Sequence, residues 1–139
     1  MIKPTGTNMQ RHFTDRLCYL TDLFPSICEW AGQSVPESAD GISLLPIINE
    51  NKVVREHLYY AYRDFQRGIS DGEWKLIEYH VNGNKHMQLF HLKEDPLETK
   101  DLSNEKKQAK RIKQLQEKMV SLKTETGDKS GFWDFSASK

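Results

Sequence analysis

Apolar positions in the first third of the chain recur every three or four residues. This spacing predicts a helix over residues 22–31 with a broad apolar face. The positions are Leu23, Phe24, Ile27, Cys28, Trp30 and Ala31. Asp22 is the expected N-cap, Pro25 suits the first turn, and Gly32 is expected to end the helix. Residues 16–21, just before it, are predicted to form a short extended stretch.

From residue 56 onward the pattern becomes typical of β-strands. Runs rich in aromatic and branched residues cover 57–62, 65–70, 73–80 and 86–92. Asp71-Gly72 and Asn82-Gly83 separate the later runs, and such pairs favour two-residue hairpin turns because both turn positions need positive φ. We therefore expect three or four antiparallel strands in a meander.

A long polar helix is predicted after Asp95-Pro96, which breaks the last strand. Ser103 or Asn104 is the expected N-cap, and the helix should run to about Lys123. Its apolar stripe consists of Ile112, Leu115, Met119 and Leu122. One amphipathic helix packed on a small antiparallel sheet of about four strands is an α+β fold.

Residues 33–52 are predicted to be a connector, with Pro36, Gly41 and Pro46 along it. Its apolar residues should anchor it to the core; they are Ile42, Leu44, Leu45, Ile47 and Ile48. We expect three parts, at 1–52, 53–123 and 124–139. The last part is a loose tail whose apolar cluster, Phe132, Trp133 and Phe135, is expected to dock onto the body or a partner.

Composition narrows the classes of function. The 139 residues are 37% hydrophobic and 29% charged with zero formal net charge, which suits a soluble globular protein and argues against a nucleic-acid partner. No apolar run is long enough to cross a membrane, and residues 1–11 lack the apolar core of a signal peptide. Cys18 and Cys28 are interpreted as small buried hydrophobes and not as a disulfide.

Candidate chemistry is sparse. Substrate-binding candidates are the basic side chains Arg63, Arg67, Lys75 and His80, which could present positive charge to an anionic sugar. A solvated strand face, or ordinary ion pairs with neighbouring acids such as Asp64, Asp71 and Glu73, is the favoured explanation for Arg63, Arg67 and Lys75. His80, His86 and His91 lie along one hairpin, but their spacing lacks a fourth ligand, so we predict no metal site and no catalytic residue.

Two separated groups of motifs resemble the C-terminal region of sulfatases of the arylsulfatase type. Residues 21–32 (TDLFPSICEWAG) are similar to the family's "DLFPT…LAG" helix, and residues 40–46 (DGISLLP) to the connector that follows it. Residues 71–77 (DGEWKLI) resemble the "KLI" strand, and residues 88–98 (QLFHLKEDPLE) resemble "LFDLxxDPxE". His91 stands where Asp is usual, and Asp101 where Asn is usual. The order and spacing of these motifs carry the resemblance, which covers about residues 2–123.

The resemblance implies that the centre of catalysis lies elsewhere. In this superfamily, which includes alkaline phosphatase, sulfatases use formylglycine and calcium held in a large α/β domain upstream of these motifs. No position here matches a catalytic residue, so this chain alone is expected to be inactive and to hold neither group. Residues 16–58 would belong to the edge of that domain, and the remainder to a small C-terminal subdomain that contributes to substrate selectivity.

Three hypotheses follow. The chain is a fragment of a sulfatase, or a stand-alone module that binds sulfated saccharides or a protein, or a fragment of a related phosphodiesterase or phosphonate hydrolase. Because residues 16–48 would normally pack on the large domain, their apolar face is expected to be exposed. We therefore predict self-association, or pairing with a separate catalytic half, through Leu23, Phe24 and Ile27.

Overall fold

The computed structural model describes residues 13–130, which form an α+β fold as predicted. Two short helices come first, α1 (Leu23–Trp30) and α2 (Leu45–Glu50). Four strands follow, β1 (Leu58–Tyr62), β2 (Gln66–Ser70), β3 (Trp74–Val81) and β4 (Asn84–His91), and then the long helix α3 (Ala109–Glu125). Single 3-10 turns at Leu20–Asp22 and Lys106–Gln108 lead into α1 and α3.

The strands form one antiparallel sheet in the order β1-β2-β3-β4, which confirms the meander. Asn82 and Gly83 have φ values of 51° and 79°, so the β3–β4 hairpin has the turn that its sequence predicts. The β2–β3 connection differs, because only Gly72 has positive φ there. Asp71 instead accepts the N–H groups of Glu73 and Trp74 on its Oδ1, which supports a wider loop.

One face of the sheet packs against α3 and forms the hydrophobic core. The predicted stripe of α3 supplies buried Ile112, Leu115 and Met119, with Leu122 partly buried beside them. The sheet supplies alternate residues of each strand because successive side chains point to opposite faces. The buried residues that face α3 come from the strands and from the loop after β4. They are Tyr59, Ile69, Trp74, Leu76 and Leu89 from the strands and Leu102 from the loop.

Asp22 occupies the predicted N-cap position of α1, and Gly32 follows the end of that helix with a φ of 68°, but the predicted cap of α3 is wrong. The Asp22 side chain makes no cap bond to α1. Neither Ser103 nor Asn104 begins α3, which starts at Ala109 and runs two residues past Lys123. Ser103 donates its N–H to Asp101 Oδ1, so it belongs to a turn that precedes the helix.

Several smaller expectations also need correction. Cys18 is exposed and Cys28 is half-buried, so neither is a core residue. Residues 16–21 form no strand, and the 3-10 turn begins within them. The connector contains α2, and of its apolar anchors only Ile47 is buried. The tail cluster Phe132, Trp133 and Phe135 lies outside the described residues, and the three-part division of the chain stays a prediction.

Candidate functional site

The four basic candidates do not form one cluster. Successive side chains of a strand point to opposite faces of the sheet. Arg67 lies two residues before Ile69, and His80 lies four residues after Leu76, so both are on the face covered by α3. Lys75 points to the opposite face, which we call the open face. Arg63 is exposed in the turn between β1 and β2, with a φ of 45°.

Arg67 is buried in an ion pair with Asp128, which follows the C-terminus of α3. Its guanidinium donates to both carboxylate oxygens of Asp128 and to the carbonyl oxygens of Arg63 and Gln66. The Tyr59 hydroxyl donates to the same carboxylate over 2.6 Å. Hydrogen bonds from Arg67 hold the pKa of Asp128 far below its ordinary value, while burial and then Asp128 raise the pKa of Tyr59. This cluster ties α3 to β1 and β2.

Lys75 connects two of the motifs that carry the resemblance, residues 71–77 and residues 88–98. Its Nζ lies 2.9 and 2.8 Å from the two carboxylate oxygens of Glu98, in the loop after β4. It also lies 5.9 Å from the centre of the Tyr60 ring. Glu98 holds this position with a φ of 54°, a left-handed conformation that is uncommon for a residue other than glycine. Sequence reasoning missed Glu98 as the partner of Lys75.

Aromatic side chains line the open face along the edge strand β1. Tyr60 and Tyr62 alternate with Tyr59 and are both exposed. The Arg63 guanidinium carbon lies 5.7 Å from the centre of the Tyr62 ring. Exposed aromatic rings beside cations are suited to stacking and to anion contact, so this edge is the part of the candidate set that a ligand could reach.

The three histidines of the β3–β4 region do not converge. His80 and His91 share the helix side of the sheet by parity, whereas His86 lies on the open face and stacks on Tyr79. His91 packs its ring edge on Trp74 and accepts the Glu94 N–H on Nδ1, as the usual Asp carboxylate could. Across residues 13–130, no group of His, Cys, Asp or Glu side chains is arranged to hold a metal ion. The resemblance places calcium and formylglycine in the large upstream domain, and we assign no step here through either group.

Asp22 organises the N-terminal segment, a role that the sequence pattern did not reveal. Its carboxylate is fully buried and accepts the N–H groups of Tyr19 and Ile42 at 2.7 and 2.9 Å. Arg55 donates to it over 2.6 Å and covers the Tyr19 ring. The Tyr19 hydroxyl in turn bonds the backbone N–H and C=O of Tyr59 at the edge of β1. The motif that suggested an N-cap instead joins residues 13–55 to the sheet.

Apolar side chains on α1 are exposed, as expected for Phe24 and Ile27, while Leu23 is half-buried. None of the helices within residues 13–130 is long and apolar enough to cross a membrane.

Comparison with known proteins places these features in a family. A sequence model described as "N-sulphoglucosamine sulphohydrolase, C-terminal" matches residues 1–125. A Delta 4,5-hexuronate-2-O-sulfatase from Bacteroides thetaiotaomicron is 31% identical over 97 residues, covering 64% of this chain and 20% of the relative. An arylsulfatase from Clostridium perfringens is 27% identical over 124 residues, covering 86% and 25%.

Solved structures share the fold. One was solved with its substrate D-glucosamine-2-N,6-O-disulfate and superposes with a TM-score of 0.70 at 23% identity, covering 81% of this chain and 25% of that one. A phosphonate monoester hydrolase of Agrobacterium radiobacter superposes with a TM-score of 0.61 at 20% identity, covering 79% and 25%. The chain thus spans about a quarter or less of the length of these proteins. It belongs to the N-sulphoglucosamine sulphohydrolase C-terminal family and is a sulfatase C-terminal region.

Proposed function

We propose that this chain serves the hydrolysis of sulfate esters as the C-terminal part of a sulfatase, without supplying the catalytic centre itself. The observation that carries this proposal is the family match over residues 1–125, together with the sheet and helix that the sulfatase structures share. The polar clusters at Asp22, Lys75 and Arg67 are internal ion pairs that hold the fold together, which is the behaviour of a supporting domain.

We further propose that the domain contributes to substrate selectivity through the β1–β2 corner. Arg63 and the neighbouring rings of Tyr62 and Tyr60 are accessible there. Arg67 forms an ion pair with Asp128, and Lys75 forms one with Glu98, so the main role of these two cations is to stabilise the fold. An exposed guanidinium beside aromatic rings can bind a sulfate group and stack on a sugar ring at the same time.

A hybrid enzyme tests the proposal. This chain would replace the matching quarter of the Clostridium perfringens arylsulfatase, and sulfate release from an aryl sulfate would be measured. We expect no release by this chain alone, and release by the hybrid that exceeds release by the arylsulfatase lacking that quarter. A hybrid that melts in one cooperative step yet releases no sulfate would contradict the proposal.

The selectivity part is tested in the same hybrid with Arg63→Ala. The expected result is a KM for a sulfated saccharide that rises several-fold while kcat changes little, because a contact made equally in ground and transition states affects KM. Lys129→Ala, which removes a cation in the segment after α3, is the control. An unchanged KM would remove Arg63 from the site.

Two other functions remain candidates. A fold shared with a phosphonate monoester hydrolase is the reason to assay the hybrid on a phosphonate monoester as well. A stand-alone binding module is tested by melting this chain with a panel of sulfated saccharides, because a ligand that binds only the folded state must raise the Tm. A reproducible shift with one sugar would favour the module, and a cooperative melt without a shift would favour the supporting domain.

A further inference from the structure

Basic side chains are concentrated at the beginning of α3. Residues 106–118 contain six basic residues and one acidic residue, which gives a net charge of +5 in a chain whose formal net charge is zero. The basic residues are Lys106, Lys107, Lys110, Arg111, Lys113 and Lys118. The first two lie in the 3-10 turn that leads into α3, and the others lie in α3 itself. The positive charge is therefore local, and the remainder of the chain is acidic.

Three of these lysines form one row on the side of α3 that points away from the sheet. Side chains three and four residues apart lie on the same face of a helix, so Lys106, Lys110 and Lys113 follow one another about one turn apart. All three are exposed, whereas Ile112 and Leu115 face the core. We call the row of three lysines the basic face.

Acidic side chains neutralise little of the charge on the basic face. Across residues 13–130, neither Lys106 nor Lys110 forms an ion pair. Lys113 Nζ is 3.9 Å from Glu117 Oε1, and the two side chains are 78% and 67% exposed. Ion pairs between side chains this exposed are weak, because water and salt screen them. The basic face therefore remains available to an anion from solution.

Helix stability does not account for the position of the basic face. The N-terminus of a helix is the positive end of its dipole, so cations are unfavourable there, and residues 109–112 include no acid to offset them. Like charges three and four residues apart also repel each other along a helix. The lysines therefore lower the stability of α3, which is the behaviour of a binding surface and not of a structural one.

We propose that the basic face binds a sulfated polysaccharide. The choice of sulfate rests on the proposed function, because a domain that serves sulfate ester hydrolysis meets chains that carry this group. A row of cations about one turn apart can contact successive sulfate groups of an extended polyanion at the same time. The ammonium group of Lys is a compact charge on a flexible stem, so it suits contacts whose spacing varies along a sugar chain.

The basic face and the β1–β2 corner lie toward opposite ends of α3. Arg111 Nη1, near the beginning of the helix, is 3.8 Å from Asp71 Oδ2 in the loop between β2 and β3. Asp128, which follows the other end of the helix, pairs with Arg67 beside the corner. A helix of 17 residues is about 25 Å long, at 1.5 Å per residue. A polysaccharide of several sugar units can contact both surfaces, whereas a single sugar cannot.

Other polyanions fit the basic face less well. Proteins that bind single-stranded nucleic acid combine cations with aromatic rings that stack on the bases, and residues 106–118 contain no aromatic residue. The zero net charge of the chain also disfavours a nucleic-acid partner. A helix that binds a membrane surface inserts its apolar face, but the apolar stripe of α3 is buried against the sheet.

Titration of this chain with dextran sulfate, at several salt concentrations, tests the proposal, with uncharged dextran as the matched polymer. We expect dextran sulfate alone to bind, with an affinity that falls as salt rises, because bound cations release the counterions of the polyanion. The triple substitution Lys106→Gln, Lys110→Gln and Lys113→Gln should weaken binding about tenfold and make the salt dependence shallower. Its Tm should not fall, because the substitutions remove repulsion between like charges.

The control is a second triple variant with Lys52→Gln, Lys85→Gln and Lys129→Gln. It removes the same charge from exposed positions outside residues 106–118 and should change the affinity by about twofold or less, because distant charges are screened. Equal weakening in the two triple variants would overturn the proposal, since total charge would then explain the binding.

Two further results would also overturn the proposal. One is the absence of dextran sulfate binding at low salt. The other is binding of double-stranded DNA that is as tight as binding of dextran sulfate, since the surface would then not select a sulfated sugar chain. Selective binding by this chain, together with a hybrid enzyme that releases no sulfate, would refute the proposed function and support the basic face.

Discussion

The cluster of Arg67, Asp128 and Tyr59 shows how much depends on single side chains in this small domain. Asp128→Asn should lower the free energy of unfolding by about 3 kcal/mol, because it leaves the buried guanidinium of Arg67 without its counter-charge. Chemical denaturation measures the change. Asp64→Asn is the control, since Asp64 is exposed in the β1–β2 turn and should alter stability little. Equal losses of unfolding free energy in the two variants would mean that the cluster contributes no more to stability than an exposed carboxylate does.

The same cluster predicts how stability depends on pH. The pKa of Asp128 is lowered in the folded state by its bonds to Arg67, so the unfolded chain binds the proton more readily. The stabilisation is therefore complete above the ordinary Asp pKa of about 3.9 and is lost as the pH falls through the lowered folded value. We expect the stability difference between the natural chain and Asp128→Asn to shrink steadily below about pH 4. A constant difference down to pH 2 would contradict the assignment.

At this scale the sequence identified cations but not their partners. Arg67 and Asp128 are 61 positions apart, and Lys75 and Glu98 are 23 apart, so no local spacing links them. Neighbouring acids were the simplest partners to propose. The partners of the Asp22 carboxylate are not readable from the sequence for a related reason. A carboxylate before a helix suits an N-cap, but here the incoming connector and Arg55 supply better donors.

Among the elements, the connector passes close to the 3-10 turn that precedes α1 at Gly41. A Cβ added there would lie 2.7 Å from the Thr21 carbonyl carbon and 3.0 Å from Asp22 Cα. Backbone atoms cannot move aside as a flexible side chain could, so Gly41→Ala should displace the connector from Asp22. We expect faster amide exchange across residues 20–50 and unchanged exchange in the sheet.

Gly83→Ala gives the matched contrast. Gly83 has a φ of 79°, and nothing lies within 4 Å of an added Cβ, so only backbone strain opposes the change. We expect it to cost roughly 1 kcal/mol and to affect the β3–β4 hairpin. If Gly41→Ala disturbed the sheet as strongly as the connector, the two parts of the domain would be coupled more tightly than their contacts suggest.

Element types were predictable because they depend on local signals. Alternating aromatic and branched residues gave the strands, Asn82-Gly83 gave a hairpin turn, and the stripe of Ile112 to Leu122 gave the contact face of α3. The start of α3 was not predictable in the same way. The Asp101 carboxylate accepts the N–H groups of both Leu89 and Ser103. Because this contact holds the chain against β4 in a turn, α3 begins further along the sequence.

For the molecule as a whole, the α+β class follows from the order of elements, but the uneven distribution of its core does not. Sequence periodicity shows that α1 and α3 each have an apolar face. It cannot show that one face is buried against the sheet while the other is exposed. That difference arises because Asp22 and Ser26 turn the polar side of α1 toward the connector.

This uneven core predicts that the isolated chain unfolds in two stages. Residues 13–52 are held mainly by polar contacts around Asp22 and Ser26, and hydrogen bonds contribute about 1 kcal/mol each, whereas residues 58–125 share a continuous hydrophobic core. Local opening of the first segment should therefore require less free energy than global unfolding. Native-state amide exchange in low denaturant should show α1 and α2 opening before β2, β3 and α3. Identical opening free energies across the isolated chain would mean that the polar contacts around Asp22 are as strong as the core itself.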